Sequence, residues 1–241
     1  MTDPGAPDYC REIEAHLCRK NDGHLIRIVG PAFEQVLGWQ RDGIPLRVAL
    51  AGIDRYFERY YRKGPRRRPV RVEFCDADVR DAFDDWRRAV GVPGGERAPA
   101  GTAGEAEPAA RPKRSSLAAH VERVVSRLTM LRGSDRGAGA LDDALERAAR
   151  RTDALGADAR SARGEARERI VAELAVIDHE LLDAAEAALD AATRAALEAD
   201  AASELAPFKG RMPPDALAAA HAAAVQRLLR ERFALPKVAF D

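Results

Sequence analysis

Asp76-Ala-Asp-Val-Arg-Asp-Ala-Phe-Asp-Asp-Trp-Arg-Arg-Ala-Val-Gly91 is the stretch that decides the fold. Val79, Phe83, Trp86 and Val90 fall at i, i+4, i+7 and i+11. At about 3.6 residues per turn, that spacing draws one apolar stripe down a helix whose other faces are charged. Asp76 stands where an N-cap belongs, and Gly91 where a helix stops. A helix with so wide a stripe must bury it against partner elements, and the preceding residues supply them.

Upstream, Asp8 caps a helix to about Lys20, with Tyr9, Ile13 and Leu17 on one face. His24 to Val29 is rich in Ile and Val and predicts a short strand. Pro31 opens a helix carrying Phe33, Val36, Leu37 and Trp39, stopped at Gly43. Pro45 opens another, in which Leu46, Ala49, Leu50, Ile53, Phe57 and Tyr60 recur at helical spacing to Tyr61. Gly64-Pro65 breaks it, and Val70 to Phe74 alternates as a second short strand. Ten of the 13 aromatic residues precede Gly91. Large rings fill a core efficiently, so residues 1–91 are expected to form a small α-rich, helix-turn-helix-like globular domain with one or two short strands.

Downstream the composition changes. Residues 92–116 carry four Pro, four Gly and six Ala, with Val92 as their only large apolar side chain. Such a segment buries too little apolar surface to offset its ordering entropy, which predicts a flexible linker. Residues 117–241 are Ala-rich and helical in pattern. One helix is expected over 116–131, a short one around Leu141 and Leu145, one long helix over about 165–205, and a last one over 215–233. Ile170, Leu174, Ile177 and Leu181 alternate four and three apart, the spacing of a coiled-coil seam. The expected whole is mainly α, with a helical bundle or coiled-coil-like C-terminal region that self-associates. The apolar tail Leu235–Phe240 is expected to pack back on a core or a partner.

The 241 residues carry 39 basic and 39 acidic side chains, so the net charge is zero. That balance gives no whole-molecule attraction to nucleic acid or anionic membrane. Arginine supplies 34 of the 39 cations; together with the abundant alanine, this bias suits a GC-rich bacterial genome. No apolar run is long enough for a membrane span. The N-terminus lacks the basic and apolar regions of a secretory signal. The three cysteines, Cys10, Cys18 and Cys75, suit buried thiols in a reducing cytoplasm.

The strongest local anomaly is the block Arg55–Arg71. It holds Arg55, Arg59, Arg62, Lys63, Arg66, Arg67, Arg68 and Arg71 against Glu58, a net of +7 over 17 residues, with Tyr56, Phe57, Tyr60 and Tyr61 interleaved. Guanidinium groups pair with phosphates and rings stack on bases. Arg59, Arg62, Lys63, Arg66, Arg67 and Arg68 are therefore the candidate DNA-contacting residues. The opposing reading is intramolecular. Glu73–Asp85 carries a net of −5 and could neutralise the block, leaving a protein–protein adaptor or scaffold with no nucleic-acid contact.

Val36-Leu-Gly-Trp-Gln-Arg-Asp-Gly-Ile-Pro-Leu-Arg-Val-Ala-Leu-Ala-Gly-Ile-Asp54 resembles the helical segment of the DnaD family of bacterial replication-initiation proteins. The resemblance rests on a Trp, a Gly turn and the apolar helix that follows, under a tenth of the chain. It implies an association with DNA or a DNA-bound complex. At the helix-turn-helix level Trp39 departs from the pattern, since it stands four residues before Gly43, where a small residue is wanted; two core helices suit the segment better.

Catalytic and metal motifs are not supported. Cys10, His16, Cys18 and His24 do not converge on one helix face. His179-Glu180-Leu-Leu-Asp183 misses the second histidine of a zinc motif. His221 sits on the apolar side of its helix, as a core or interface histidine would. No nucleotide-binding glycine loop or nucleophile elbow occurs. A non-enzymatic protein with no cofactor and no bound metal is expected.

Overall fold

The structure, a computed structural model, describes residues 6–62, 69–92, 116–132 and 139–240. It is mainly α, and no strand occurs among the described residues. The chain divides into two compact units, one of residues 1–96 with 201–224, the other of residues 97–200 with 225–241. This division groups residues 201–224 with the N-terminal residues; the expected linker at 92–116 lies, but for its two ends, outside the described residues.

In the first unit, α1 (Ala6–Lys20), α2 (Pro31–Arg41), α3 (Leu46–Tyr61) and α4 (Asp76–Val90) follow the helical spacings. The stripe of α4 is buried at Val79, Phe83, Trp86 and Val90. Gly91 ends the helix in the left-handed region, at φ 71°, as a Cβ-free residue allows. Helix α3 packs on α4. Their closest approach is at Gly52, where an added Cβ would lie 2.4 Å from Val79 Cα and 2.9 Å from the Asp78 carbonyl oxygen.

Both expected strands are corrected. Residues 24–29 have no regular structure, and Val72–Cys75 form a single 3-10 turn. An apolar run predicts a strand only if another strand offers its backbone groups, and none is present in this unit among the described residues. Side chains take over the pairing instead. Glu14 Oε1 accepts from Ile28 N at 2.6 Å, and Cys18 Sγ from Ile26 N at 3.3 Å. The second segment is held by Asn21, which is buried. Its Oδ1 accepts from Val70 N at 2.7 Å and its Nδ2 donates to Val70 O at 3.0 Å. That two-way bond mimics one rung of a sheet.

Trp39 is fully buried, and its indole N–H donates to Asp76 at 2.7 Å. It fills the core where a helix-turn-helix would want a small side chain. Residues 201–224 add Phe208, whose ring packs on Phe83 and Trp86 at centroid distances of 6.4 and 5.6 Å. The Trp86 indole N–H donates to Glu204 at 3.0 Å.

The second unit contains α5 (Leu117–Arg132), α6 (Ala140–Ala154), the single turn α7 (Gly156–Ala159) and α8 (Gly164–Ala187). The expected long helix is corrected to two, because α9 (Ala191–Leu205) starts afresh. Asp190 causes the break. Its carboxylate accepts from Thr193 N at 2.7 Å and from Thr193 Oγ1 at 3.0 Å, an N-cap inside an Ala-rich run. The seam residues Ile170, Leu174, Ile177 and Leu181 are buried within the unit, where α6 packs on α8. The last helix, α10 (Pro214–Phe233), leads into the tail, which folds back onto its own unit. Buried Asp178 accepts from Arg230 at 2.5 and 3.1 Å and from Val238 N at 2.6 Å.

Candidate nucleic-acid interface

Helix α3 ends at Tyr61, and the sequence then meets Gly64-Pro65. A residue preceding proline is disfavoured in the α region, which stops the helix there. The cations of the block therefore divide into those on α3 and those of the connection that follows.

The two on α3 are clasped by α4. Arg55 meets Asp85 at 2.6 Å, and Arg59 meets Asp78 at 2.5 Å. Asp85 also takes Arg88 at 2.5 Å, while Arg80 holds Asp76 and Asp42, each at 3.1 Å. Such exposed pairs each contribute about 0–1 kcal/mol. Their consequence is charge bookkeeping: α4 spends Asp76, Asp78 and Asp85 on helix-borne arginines. Of the predicted contact residues, Arg59 is thus paired, while Arg62 is exposed and meets no carboxylate among the described residues. Lys63, Arg66, Arg67 and Arg68 lie outside the described residues. Arg71, just beyond them, is exposed.

The structure adds something the sequence reading missed. Phe74 was assigned to a strand; the 3-10 turn instead leaves it 58% exposed. Its ring stacks on Tyr56, with centroids 6.5 Å apart and planes 15° from parallel. Tyr56 in turn stacks on Tyr60 at 5.7 Å, and Tyr60 meets Tyr61 edge-on at 5.4 Å. Arg59 lies over the Tyr56 ring at 5.3 Å. The i, i+4 spacing of Tyr56 and Tyr60 signalled their adjacency; only the turn at 72–75 places Phe74 in the row.

Cys75 follows Phe74 in the 3-10 turn and is buried. Burial pushes the Cys75 thiol up to about 12, helped by Asp78 and Glu73, so no reactive thiolate sits there at neutral pH. The Tyr56 hydroxyl is raised as well, chiefly by partial burial.

No group of three or more His, Cys, Asp or Glu able to hold a metal occurs among the described residues. His179 and Asp183 face each other at 3.6 Å on an exposed helix surface. His221 is half-buried and partnered. No helix among the described residues is long and apolar enough to cross a membrane. Comparison with protein-family models, with curated proteins and with solved structures finds no match.

Proposed function

We propose that the chain is a non-enzymatic, DNA-associated helical protein that holds DNA against the aromatic row of Tyr56, Tyr60 and Phe74. The observation that carries this reading is the stacked row Phe74–Tyr56–Tyr60, open to solvent at Phe74, with Arg62 and Arg71 exposed at nearby positions in the sequence. Residues 62–71 contribute six cations and no acid, and α4 has committed three carboxylates to helix-borne arginines. Cations track a phosphate backbone while rings offer stacking faces, and stacking requires unpaired bases. Single-stranded DNA is thus the preferred form.

Binding of the full chain to a short single strand, followed against salt, tests the reading. Affinity for the single strand should fall steeply with salt, and a duplex should bind more weakly at every salt concentration. Phe74→Ala should cost about 1–3 kcal/mol of binding, the usual loss for one stacked base. Equal binding by Phe74→Ala and the parent would refute the ring row.

A second reading, a protein–protein adaptor, is favoured by one observation. Leu25 and Val29 are 80% and 66% exposed along the irregular 24–29 segment, and two exposed apolar side chains so close together suit contact with a partner. Self-association through the 170–181 seam has no such support, because those residues are buried inside their own unit.

A further inference from the structure

The second unit contains a cavity of about 840 Å³ that the DNA reading does not use. It lies where α5 begins, beside the α7–α8 turn and the end of the tail. Arg160, Arg163 and Arg167 line it together with Ser116, Leu117 and Phe240, and no lining side chain is acidic. We propose that this cavity is a binding site for a small organic phosphate.

The argument starts from charge. Arg163 is the extended N-cap of α8 and Arg167 lies in its first turns, so two cations stand at the helix end whose dipole already disfavours positive charge. Arg160, on the turn before them, has one carboxylate partner, Glu122 at 3.0 Å. Arg163 donates to the Ala162 carbonyl at 2.8 Å, a neutral acceptor. Arg167 lies over the Phe240 ring at 5.2 Å, a contact that orients the guanidinium without neutralising it. Two of three clustered guanidinium groups therefore have no countercharge among the described residues. A phosphate supplies it, since the planar guanidinium fork can take two of its tetrahedrally arranged oxygens at once.

The rest of the lining sets the ligand's other half. Leu117 and Phe240 give the cavity an apolar wall, and 840 Å³ exceeds what a lone phosphate fills. Helix α5 opens at the rim, with Ser116 Oγ accepting from Ala119 N at 3.2 Å, so its positive end faces the same space. The tail that brings Phe240 is itself fixed, since a His120 ring nitrogen lies 2.8 Å from the Val238 carbonyl oxygen. Arginine fork, apolar wall and concave shape together favour a phosphate monoester with an organic body over an extended polymer.

Calorimetric titration of the full chain at low ionic strength tests this, using adenosine monophosphate, inorganic phosphate and adenosine as probes. The monophosphate should bind most tightly, phosphate weakly and adenosine not measurably. Arg163→Gln with Arg167→Gln should weaken the monophosphate by at least about tenfold, with helical circular dichroism unchanged because both side chains are exposed. Phe240→Ala should weaken the monophosphate and leave phosphate unaltered. Binding unchanged in the double arginine variant, no monophosphate binding, or adenosine binding as tightly as its phosphate would overturn the proposal. Phosphate binding as tightly as the monophosphate would overturn the organic half of it. The same titration on Arg66→Ser, Arg67→Ser, Arg68→Ser separates this site from the DNA surface: binding should persist there, and its loss would assign the phosphates to the basic connection instead.

Discussion

Gly52 and Asp190 show how far single residues steer this chain. At Gly52 the backbone of α4 approaches so closely that a methyl group would collide with Val79 Cα at 2.4 Å. Backbone cannot swing aside as a side-chain tip can, so Gly52→Ala should destabilise the first unit by about 3 kcal/mol, the upper end for overpacking. Urea unfolding followed by the emission of Trp39 and Trp86 measures it; no loss would mean the helices cross elsewhere. Asp190 works through its carboxylate. Hydrogen bonds from Thr193 hold its pKa below the usual carboxylate value. A depressed folded pKa contributes stability above the unfolded value, about 3.9, and loses it as pH falls through the folded one. The gap in urea resistance between the parent and Asp190→Ala should therefore be open at neutral pH and narrow as the pH falls below the ordinary carboxylate value. A constant gap would mean that Asp190 does not act as a charged cap. Neither residue was singled out from sequence. A glycine inside a helix marks a close approach only once its neighbour is known, and Asp190 was hidden in a run where alanine makes every position look helical.

Among the elements, periodicity was legible and pairing was not. The stripes of α3 and α4 appear in the sequence because a buried face needs large residues at helical intervals whatever covers it. The strands at 24–29 and 70–74 failed because β-branched composition reports a half-buried extended chain, and a sheet also needs a partner edge. Asn21 and Cys18 fill that role with side-chain bonds that no local pattern announces. The 170–181 spacing predicts a coiled-coil seam; its residues are buried where α6 packs on α8, a partner that spacing alone does not name. The tail follows the same logic. Its anchor, Asp178, sits beside seam residue Ile177 and carries Arg230 and the Val238 amide. Asp178→Ala should cost about 3–5 kcal/mol, because it strands a largely buried guanidinium. Residues 235–240 should then become open to proteolysis; a tail that stays protected would mean that its apolar contacts alone hold it.

For the whole molecule, the departure from the expected plan is the return of residues 201–224 to the first unit. Long-range packing of this kind leaves no trace in composition, and Phe208 looked like an isolated aromatic in an Ala-rich half. Its ring covers Phe83 and Trp86, so a fragment of residues 1–96 should be less stable than the full chain's first unit. Burial of one phenylalanine predicts a loss of about 1.5–3 kcal/mol, readable in the same tryptophan unfolding curve. A fragment of equal stability would show that residues 201–224 are dispensable there. DNA tests accordingly belong on the full chain. The basic block and the absence of acids from 62–71 are plain in the sequence, whereas the pairing of Arg55 and Arg59 with Asp85 and Asp78 required the structure. The most direct test compares the salt dependence of single-strand binding for the parent and for a variant with Arg62, Arg66, Arg67, Arg68 and Arg71 replaced by serine. The account predicts a steep fall of affinity with salt in the parent, and a slope flattened by roughly 0.7 for each phosphate contact removed in the variant. Identical slopes, or no binding by the parent at low salt, would contradict it.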